Sequence, residues 1–217
     1  MTDQDAFTRQ RHAMVERQIK RRGIRDPALL DAMREVPREV FVLEQYQASA
    51  YDDAPLPIPA NQTISQPYVV ALMIRALNLS PEARVLEVGS GSGYASAVLG
   101  RMVLEVHAVE RHKELAEYAR ERLQQLGYDN VHVHHADGSK GWPDNAPYDG
   151  ILVSASGPRI PQVLEQQLAI GGHLVMPIGR ARGMQNLVRL TRRDEDDFHE
   201  QNLGGVRFVP LIGEEGW

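Results

Sequence analysis

Apolar residues in the first third of the chain recur at helical spacing. Met14, Val15 and Ile19 share one face, and Gly23 stands where such a helix would stop. Asp26-Pro27 then reads as an N-cap followed by proline at the first helical position. Leu29, Leu30 and Met33 form the apolar face of that helix, and Pro37 ends it. From Tyr51 to Pro67 the periodicity disappears. Asp52, Asp53, Pro55, Pro57, Pro59 and Asn61 predict a surface loop, long for a compact domain and so a functional candidate. Pro67 opens a further helix that turns Val70, Met73, Ile74 and Leu77 inward. Beyond Leu79, short apolar runs alternate with helical stretches. The strand candidates are Arg84 to Val88, Leu104 to Val109, Val131 to His134, Tyr148 to Val153 and His173 to Pro177. The clearest intervening helix runs from Lys113 to Leu126, with Leu115, Ala119, Leu123 and Leu126 apolar and Gly127 as its stop. This alternation predicts an α/β fold: a doubly wound, mainly parallel sheet with helices on both faces. Two later runs, Gln185 to Thr191 and Val206 to Leu211, predict antiparallel edge strands.

Composition narrows the class. A chain of 217 residues suits one domain with a sizeable core, residues 1–79 supplying helices and the long loop and residues 80–217 the α/β core. A net charge of −5 without a dense Lys/Arg run argues against a nucleic-acid partner. The chain has no cysteine, which excludes disulfides, thiolate nucleophiles and cysteine-ligated metals and agrees with a reducing compartment. Met1-Thr2-Asp3-Gln4-Asp5 lacks the basic-then-apolar pattern of a secretory signal, and the run from Val69 to Ile74 is too short to span a bilayer. A cytoplasmic protein with no membrane partner is expected. His132 and His134 alternate with Val131 and Val133 on one strand and, with His135, lack any H-E-x-x-H motif, so no metal site is expected. No G-x-S-x-G elbow occurs, which disfavours a serine hydrolase.

The strongest chemical signal is the stretch from Val85 to Tyr94, an apolar strand running into Gly89, Gly91 and Gly93. Such a turn lets backbone N–H groups approach a ligand closely. The next strand leads into Glu110, placed to accept ribose hydroxyls at the carboxyl edge of the sheet; alone it would read as a solvated carboxylate. A dinucleotide turn would need glycine where Tyr94 stands, so the alternating spacing suits S-adenosyl-L-methionine better. Asp137-Gly138 follows the third strand, where a carboxylate can accept from an adenine amino group; an ordinary Asp-Gly turn is the plainer alternative. Ser65, just before the helix opened by Pro67, can serve an anion or simply cap that helix, and from these residues alone capping is the simpler reading.

Taken together, Arg22-Gly23-Ile24, Val36-Pro37-Arg38, Ala50-Tyr51-Asp52, the Gln62-Thr63-Ile64-Ser65-Gln66-Pro67 segment, the glycine turn, Asp137-Gly138, Gly141-Trp142 and Arg207-Phe208-Val209-Pro210-Leu211 resemble the protein-L-isoaspartate O-methyltransferase family over nearly the whole chain. The resemblance implies a Rossmann-like fold and methyl transfer from S-adenosyl-L-methionine to the free α-carboxylate of L-isoaspartyl residues in damaged proteins and peptides. It implies Ser65 at the active site, and Gly89, Ser90, Gly91, Glu110, Asp137 and Gly138 around the cofactor. Gln185 resembles the family's glutamine near the amino-acid end of the donor. Thr63 and Ile64, with Val206, Arg207, Phe208 and Val209 on a strand that pairs with the peptide backbone, are the implied substrate contacts. A monomer is expected.

Two segments depart from the family pattern. Pro59, Ala60 and Asn61 replace a glycine-bearing stretch before Gln62, and Ser154-Ala155-Ser156 stands where Thr-Ala-Ala is usual. A different class I methyltransferase, or a module that binds the donor without turnover, are the alternative readings.

Overall fold

The computed structural model describes residues 3–181 and 183–217. Helix α1 (Asp3–Met14) runs through a wider π-helical turn (Val15–Ile19) into a short 3₁₀ turn, and the chain leaves it at Gly23 with a left-handed φ of 93°. Helix α2 (Pro27–Glu35) is capped as the sequence predicts, Asp26 Oδ1 accepting from Leu29 N–H at 3.0 Å.

The expected loop is more ordered than its prolines suggest. It carries a small antiparallel hairpin, β1 (Leu56–Ile58) and β2 (Gln62–Ile64), with Ile58 opposite Gln62. The turn holds both Ala60 and Asn61 at left-handed φ, 57° and 55°. Asparagine tolerates this backbone; for alanine it costs about 1–2 kcal/mol. The missing glycines therefore leave strain in the turn without abolishing it. Helix α3 (Pro67–Leu77) follows.

The α/β part comprises β3 (Arg84–Val88), α4 (Tyr94–Gly100), β4 (Glu105–Glu110), α5 (Lys113–Gln125), β5 (Val131–His135), β6 (Tyr148–Val153), α6 (Gln162–Gln166), β7 (Leu168–Gly179), β8 (Gln185–Arg192) and β9 (Phe198–Val206). The seven-stranded sheet has the order β5-β4-β3-β6-β7-β8-β9. Strands β5 through β7 are parallel, and β8 and β9 are antiparallel. The edge differs from expectation in one respect. β9 begins at Phe198 and ends at Val206, so the run from Val206 to Leu211 is not a strand. Residues 207–211 instead leave the sheet and fasten to Ser156, whose N–H donates to Val209 C=O and whose C=O accepts from Leu211 N–H, both at 2.8 Å.

Helices cover the two faces unequally. The N-terminal helices, α3, α4 and α5 pack on one face, over Val85, Val106, Ala108 and Leu152. The other face, built on Leu86, Val88, Ile151 and Leu174, is covered by the short α6 and by loops such as that carrying Trp142. Among the described residues no helix is long and apolar enough to cross a membrane.

On this thinly covered face β4 and β5 place a histidine cluster. His107 Nδ1 lies 3.1 Å from His134 Nε2, and the His134 ring stacks on Trp142 at 4.0 Å. Among the described residues no group of three or more His, Cys, Asp or Glu is arranged to hold a metal. Burial, then the neighbouring His107 and His132, lower the His134 pKa from 6.5 to about 4. An unfolded chain would take up this proton near 6.5, so stability is expected to be flat above that pH and to fall as pH drops toward 4. Urea midpoints of wild type and His134→Gln at pH 7 and pH 5 check this; the wild type should lose more on acidification.

Candidate active site

Strand order reverses between β3 and β6, and ligands of open α/β sheets bind at the carboxyl ends beside such a reversal. Gly89 and Ser154 occupy those ends, joined by the Ser154 N–H donating to Val88 C=O at 2.8 Å. The glycine turn is tied to β4 as well: Gly89 and Ser90 N–H groups donate to Val109 C=O at 2.8 and 3.3 Å. Gly91 sits at φ +55°, and a Cβ there would come 3.2 Å from Ile58 Cδ1 on the hairpin. Its N–H donates to Glu110 Oε2 at 3.0 Å, and His112 N–H to Oε1 at 2.9 Å. Each Glu110 oxygen is thereby aimed by one backbone donor and keeps a further acceptor site for a ligand.

Three cavities meet here. The first, of about 280 Å³, lies between Gly89, Gly91, Glu110 and Gly138 on one side and residues 209–212 on the other. A Cβ on Gly138 would fall 2.7 Å from Val88 Cγ1, so only glycine leaves this wall flat. The second, of about 330 Å³, runs between Thr63, Ser65 and Gln66 and the stretch from Gly205 through Val206, Arg207 and Phe208 to Val209. The third is a narrow recess of about 50 Å³ lined by Ile64, Ser65, Glu87, Ser90 and Ser92. Thr63 and Ser154 line all three, and Ser65 lines the second and third.

Ser65 is presented by the join of β2 and α3. The N-cap position of α3 belongs to Gln66, without a side-chain cap, so the hydroxyl of Ser65 is not the cap that its sequence position suggested. Its carbonyl accepts from Arg38 Nη2 at 2.9 Å. Arg38 is fully buried, donates through Nε to Ala50 C=O at 2.7 Å, and lies over the Tyr94 ring at 4.8 Å. One guanidinium therefore links the Ser65 backbone to the helix that follows the glycine turn.

Glu87 faces α4 and accepts from the Ser96 hydroxyl. Burial, aided by nearby Glu110 and opposed by Ser96, pushes its carboxyl pKa up to about 7. The hydroxyls of Ser90 and Ser92 are buried without a partner among the described residues, on the wall of the same recess.

Two expected cofactor residues stand behind the walls. Asp137 spends Oδ1 on Ser139 N–H and hydroxyl, at 3.0 and 2.7 Å, and Oδ2 on Glu214 N–H at 2.9 Å. It fixes the loop that presents Gly138 and holds down the C-terminal segment. Burial works to raise its pKa, but these hydrogen bonds outweigh it and keep the carboxyl below its ordinary value. Gln185 lines none of the three cavities; its amide is taken up by the backbone of residues 180 and 208.

The sequence reading assigned no role to Glu87, Arg38 or Ser154. A signal existed for Glu87, an acid inside an otherwise apolar parallel strand. Arg38 and Ser154 carry none, because their neighbours come from distant parts of the chain.

The family model that describes protein-L-isoaspartate(D-aspartate) O-methyltransferase matches residues 9–216. Protein-L-isoaspartate O-methyltransferase 2 of Pelobacter propionicus is 56% identical over 207 residues, 95% of this chain and 92% of its own length. A protein-L-isoaspartate O-methyltransferase of Rhodopseudomonas palustris is 57% identical over 204 residues, 94% of each chain. Among solved structures, one such methyltransferase superposes with a TM-score of 0.87 at 29% identity, covering 95% of this chain and 67% of that one. Another, from Plasmodium falciparum in complex with S-adenosyl-L-homocysteine, superposes with a TM-score of 0.81 at 29% identity, covering 93% and 98%.

Proposed function

The chain belongs to the protein-L-isoaspartate(D-aspartate) O-methyltransferase family, and from that membership we propose how its three cavities divide the reaction. The protein is an S-adenosyl-L-methionine-dependent methyltransferase that esterifies the free α-carboxylate of L-isoaspartyl residues, the first step of their repair. The first cavity takes the nucleoside of the donor, the recess its amino-acid end, and the second cavity the acceptor peptide. The observation that carries this division is the meeting of all three at Thr63 and Ser154, with Ser65 on the shared wall.

The donor set fits a cationic nucleoside. Buried Glu87 and Glu110 supply negative charge, Ser90 and Ser92 supply unpartnered hydroxyls, and the flat Gly138 wall leaves room for a base. When bound, S-adenosyl-L-methionine supplies an electrophilic methyl group on its sulfonium. An α-carboxylate with a pKa of about 3.5 is already ionised at neutral pH, so the chain needs no general base. Its residues have to strip water from the carboxylate and aim one oxygen at the donor. Ser65 Oγ is the donor assigned to that carboxylate. Thr63 and residues 206–209 hold the peptide; Ile64, expected beside it, lines only the recess. In the resulting methyl ester the neighbouring backbone amide nitrogen attacks the ester carbonyl, loses its proton and expels methanol to form a succinimide, and addition of water to that ring returns part of it to normal aspartate.

A labelled donor offered with an isoaspartyl peptide and its aspartyl twin tests the assignment. Label is expected in the isoaspartyl peptide alone; equal labelling, or none, overturns it. Because donor and acceptor cavities are both built from one chain, we read the protein as acting as a monomer. Its lack of cysteine supports a cytoplasmic setting.

Glu87 gives the donor site a pH signature. Its carboxyl titrates at about 7 in the free protein, and a cationic ligand beside it favours the ionised form. Donor binding at pH 7 is therefore expected to release about half a proton, and affinity to rise with pH up to roughly 7 and then level off. Calorimetry in buffers of different ionisation enthalpy measures the release, which Glu87→Gln should abolish.

A further inference from the structure

Gln185 is the first residue of β8 and is 2% exposed. Its register partner is Val206, the last residue of β9. Because β8 begins at Gln185, it offers no backbone partner beyond that pair. The side chain of Gln185 supplies what the backbone does not. Oε1 accepts from Phe208 N–H at 2.9 Å, and Nε2 donates to Phe208 C=O at 3.4 Å. A single amide thus adds one more rung to the ladder after the strand itself has ended. Nε2 also donates to Arg180 C=O, just after β7, at 3.1 Å.

The fastened segment is a wall of the acceptor cavity: residues 206–209 line it, and Met184, the exposed residue just before Gln185, lines it beside Gly205. Gln185 itself does not reach the cavity. On the far side, residues 207–209 are next held where Val209 C=O accepts from Ser156 N–H at 2.8 Å. Between Val206 and that bond, Gln185 supplies the hydrogen bonds that hold Phe208.

We propose that Gln185 is a positioning residue for the acceptor: by fastening Phe208 from behind, it sets the width of the peptide cavity and so the affinity for the isoaspartyl peptide. The proposal rests on reading that cavity as the acceptor site. The nucleoside cavity shares only Val209 with this wall, and Val209 is held separately by Ser156 N–H; Gln185 does not touch its other side, the glycine turn and Glu110. A merely structural glutamine would weaken everything together; a positioning one separates peptide from donor.

The test compares wild type with Gln185→Met, which keeps the length of the side chain and removes every hydrogen bond, and with Gln185→Glu, which keeps only the acceptor for Phe208 N–H. Peptide KM and kcat are measured at saturating donor, the Kd of S-adenosyl-L-homocysteine by calorimetry, and Phe208 amide exchange by NMR. In Gln185→Met, peptide KM should rise about tenfold, with kcat and the homocysteine Kd each changing less than about threefold and Phe208 exchange accelerated. Gln185→Glu should fall between the two. An unchanged KM, a fall in kcat alone, or equal losses in KM and Kd would each overturn the proposal. If Gln185→Met does not fold, Gln185→Glu carries the same comparison. A wild type that binds S-adenosyl-L-homocysteine but never methylates the peptide overturns the acceptor reading itself, an outcome distinct from unaltered variants of an active enzyme.

Discussion

Replacing Ser65 by alanine is expected to lower turnover on an isoaspartyl peptide about 10²-fold, the usual cost of losing one hydrogen-bond donor to a reacting oxygen. The acceptor carboxylate is ionised already, so what the site adds is a fixed donor in place of water. Ser65 is well held for this purpose: its carbonyl is pinned by Arg38 at 2.9 Å, and it lines both the acceptor cavity and the recess. The structure also removes a confounding effect. Since Gln66, not Ser65, holds the N-cap position of α3, the alanine variant loses no helix cap and should melt with the wild type. Affinity for S-adenosyl-L-homocysteine should fall far less than turnover, by under about tenfold, because the nucleoside cavity is built without Ser65 and only the recess includes it. Steady-state kinetics with calorimetry decide it. Unchanged turnover would reduce Ser65 to a wall residue, and a lowered melting temperature would point to a structural role instead.

Much of this arrangement was legible in the chain because local signals carried it. The strands from Arg84 to Val153 announce themselves by apolar runs, and α5 by its period and its Gly127 stop. That Gly89, Gly91 and Glu110 come together was legible for a similar reason: the glycines mark a tight turn at one strand end, and the acid marks the end of the next strand. The failures share a cause. Pro55, Pro57 and Pro59 argue locally against a strand, yet the hairpin pairs Pro57 with Thr63 and buries Ile58 against the glycine turn. The run from Val206 to Leu211 is strand-like in composition but finds no neighbouring strand after Gln185, and so it becomes a wall. Asp137 and Gln185 were identified by residue type and neighbourhood. What those side chains bond, Glu214 in one case and Phe208 in the other, is decided by segments far along the sequence. Arg38 is the extreme case, a charged residue in a polar-looking turn that proves fully buried.

Arg38→Met is expected to give the largest loss of stability among these variants. The substitution leaves the carbonyls of Ala50 and Ser65 without their donors, at about 1–3 kcal/mol for the buried acceptor of Ala50 and less for the part-buried one of Ser65. Against this, burial disfavours the charged guanidinium, so removing it returns part of its desolvation cost. Methionine also refills much of the space over Tyr94. The balance is a loss of about 2–4 kcal/mol, a fall in melting temperature of roughly 5–15 °C for a chain of this size. Arg38→Lys should not rescue it, since a single ammonium lacks the planar fork that reaches both carbonyls. Urea denaturation measures the loss, and a variant more stable than wild type would mean that desolvation outweighs both hydrogen bonds. The catalytic consequence is separable. At a temperature where the variant stays folded, its turnover should still be reduced, because the Ser65 backbone has lost its anchor. Arg38 acts on the chemistry only through Ser65, so the Arg38→Met, Ser65→Ala double variant should turn over no more slowly than Ser65→Ala alone. Additive losses would instead place the guanidinium's influence on the acceptor outside Ser65.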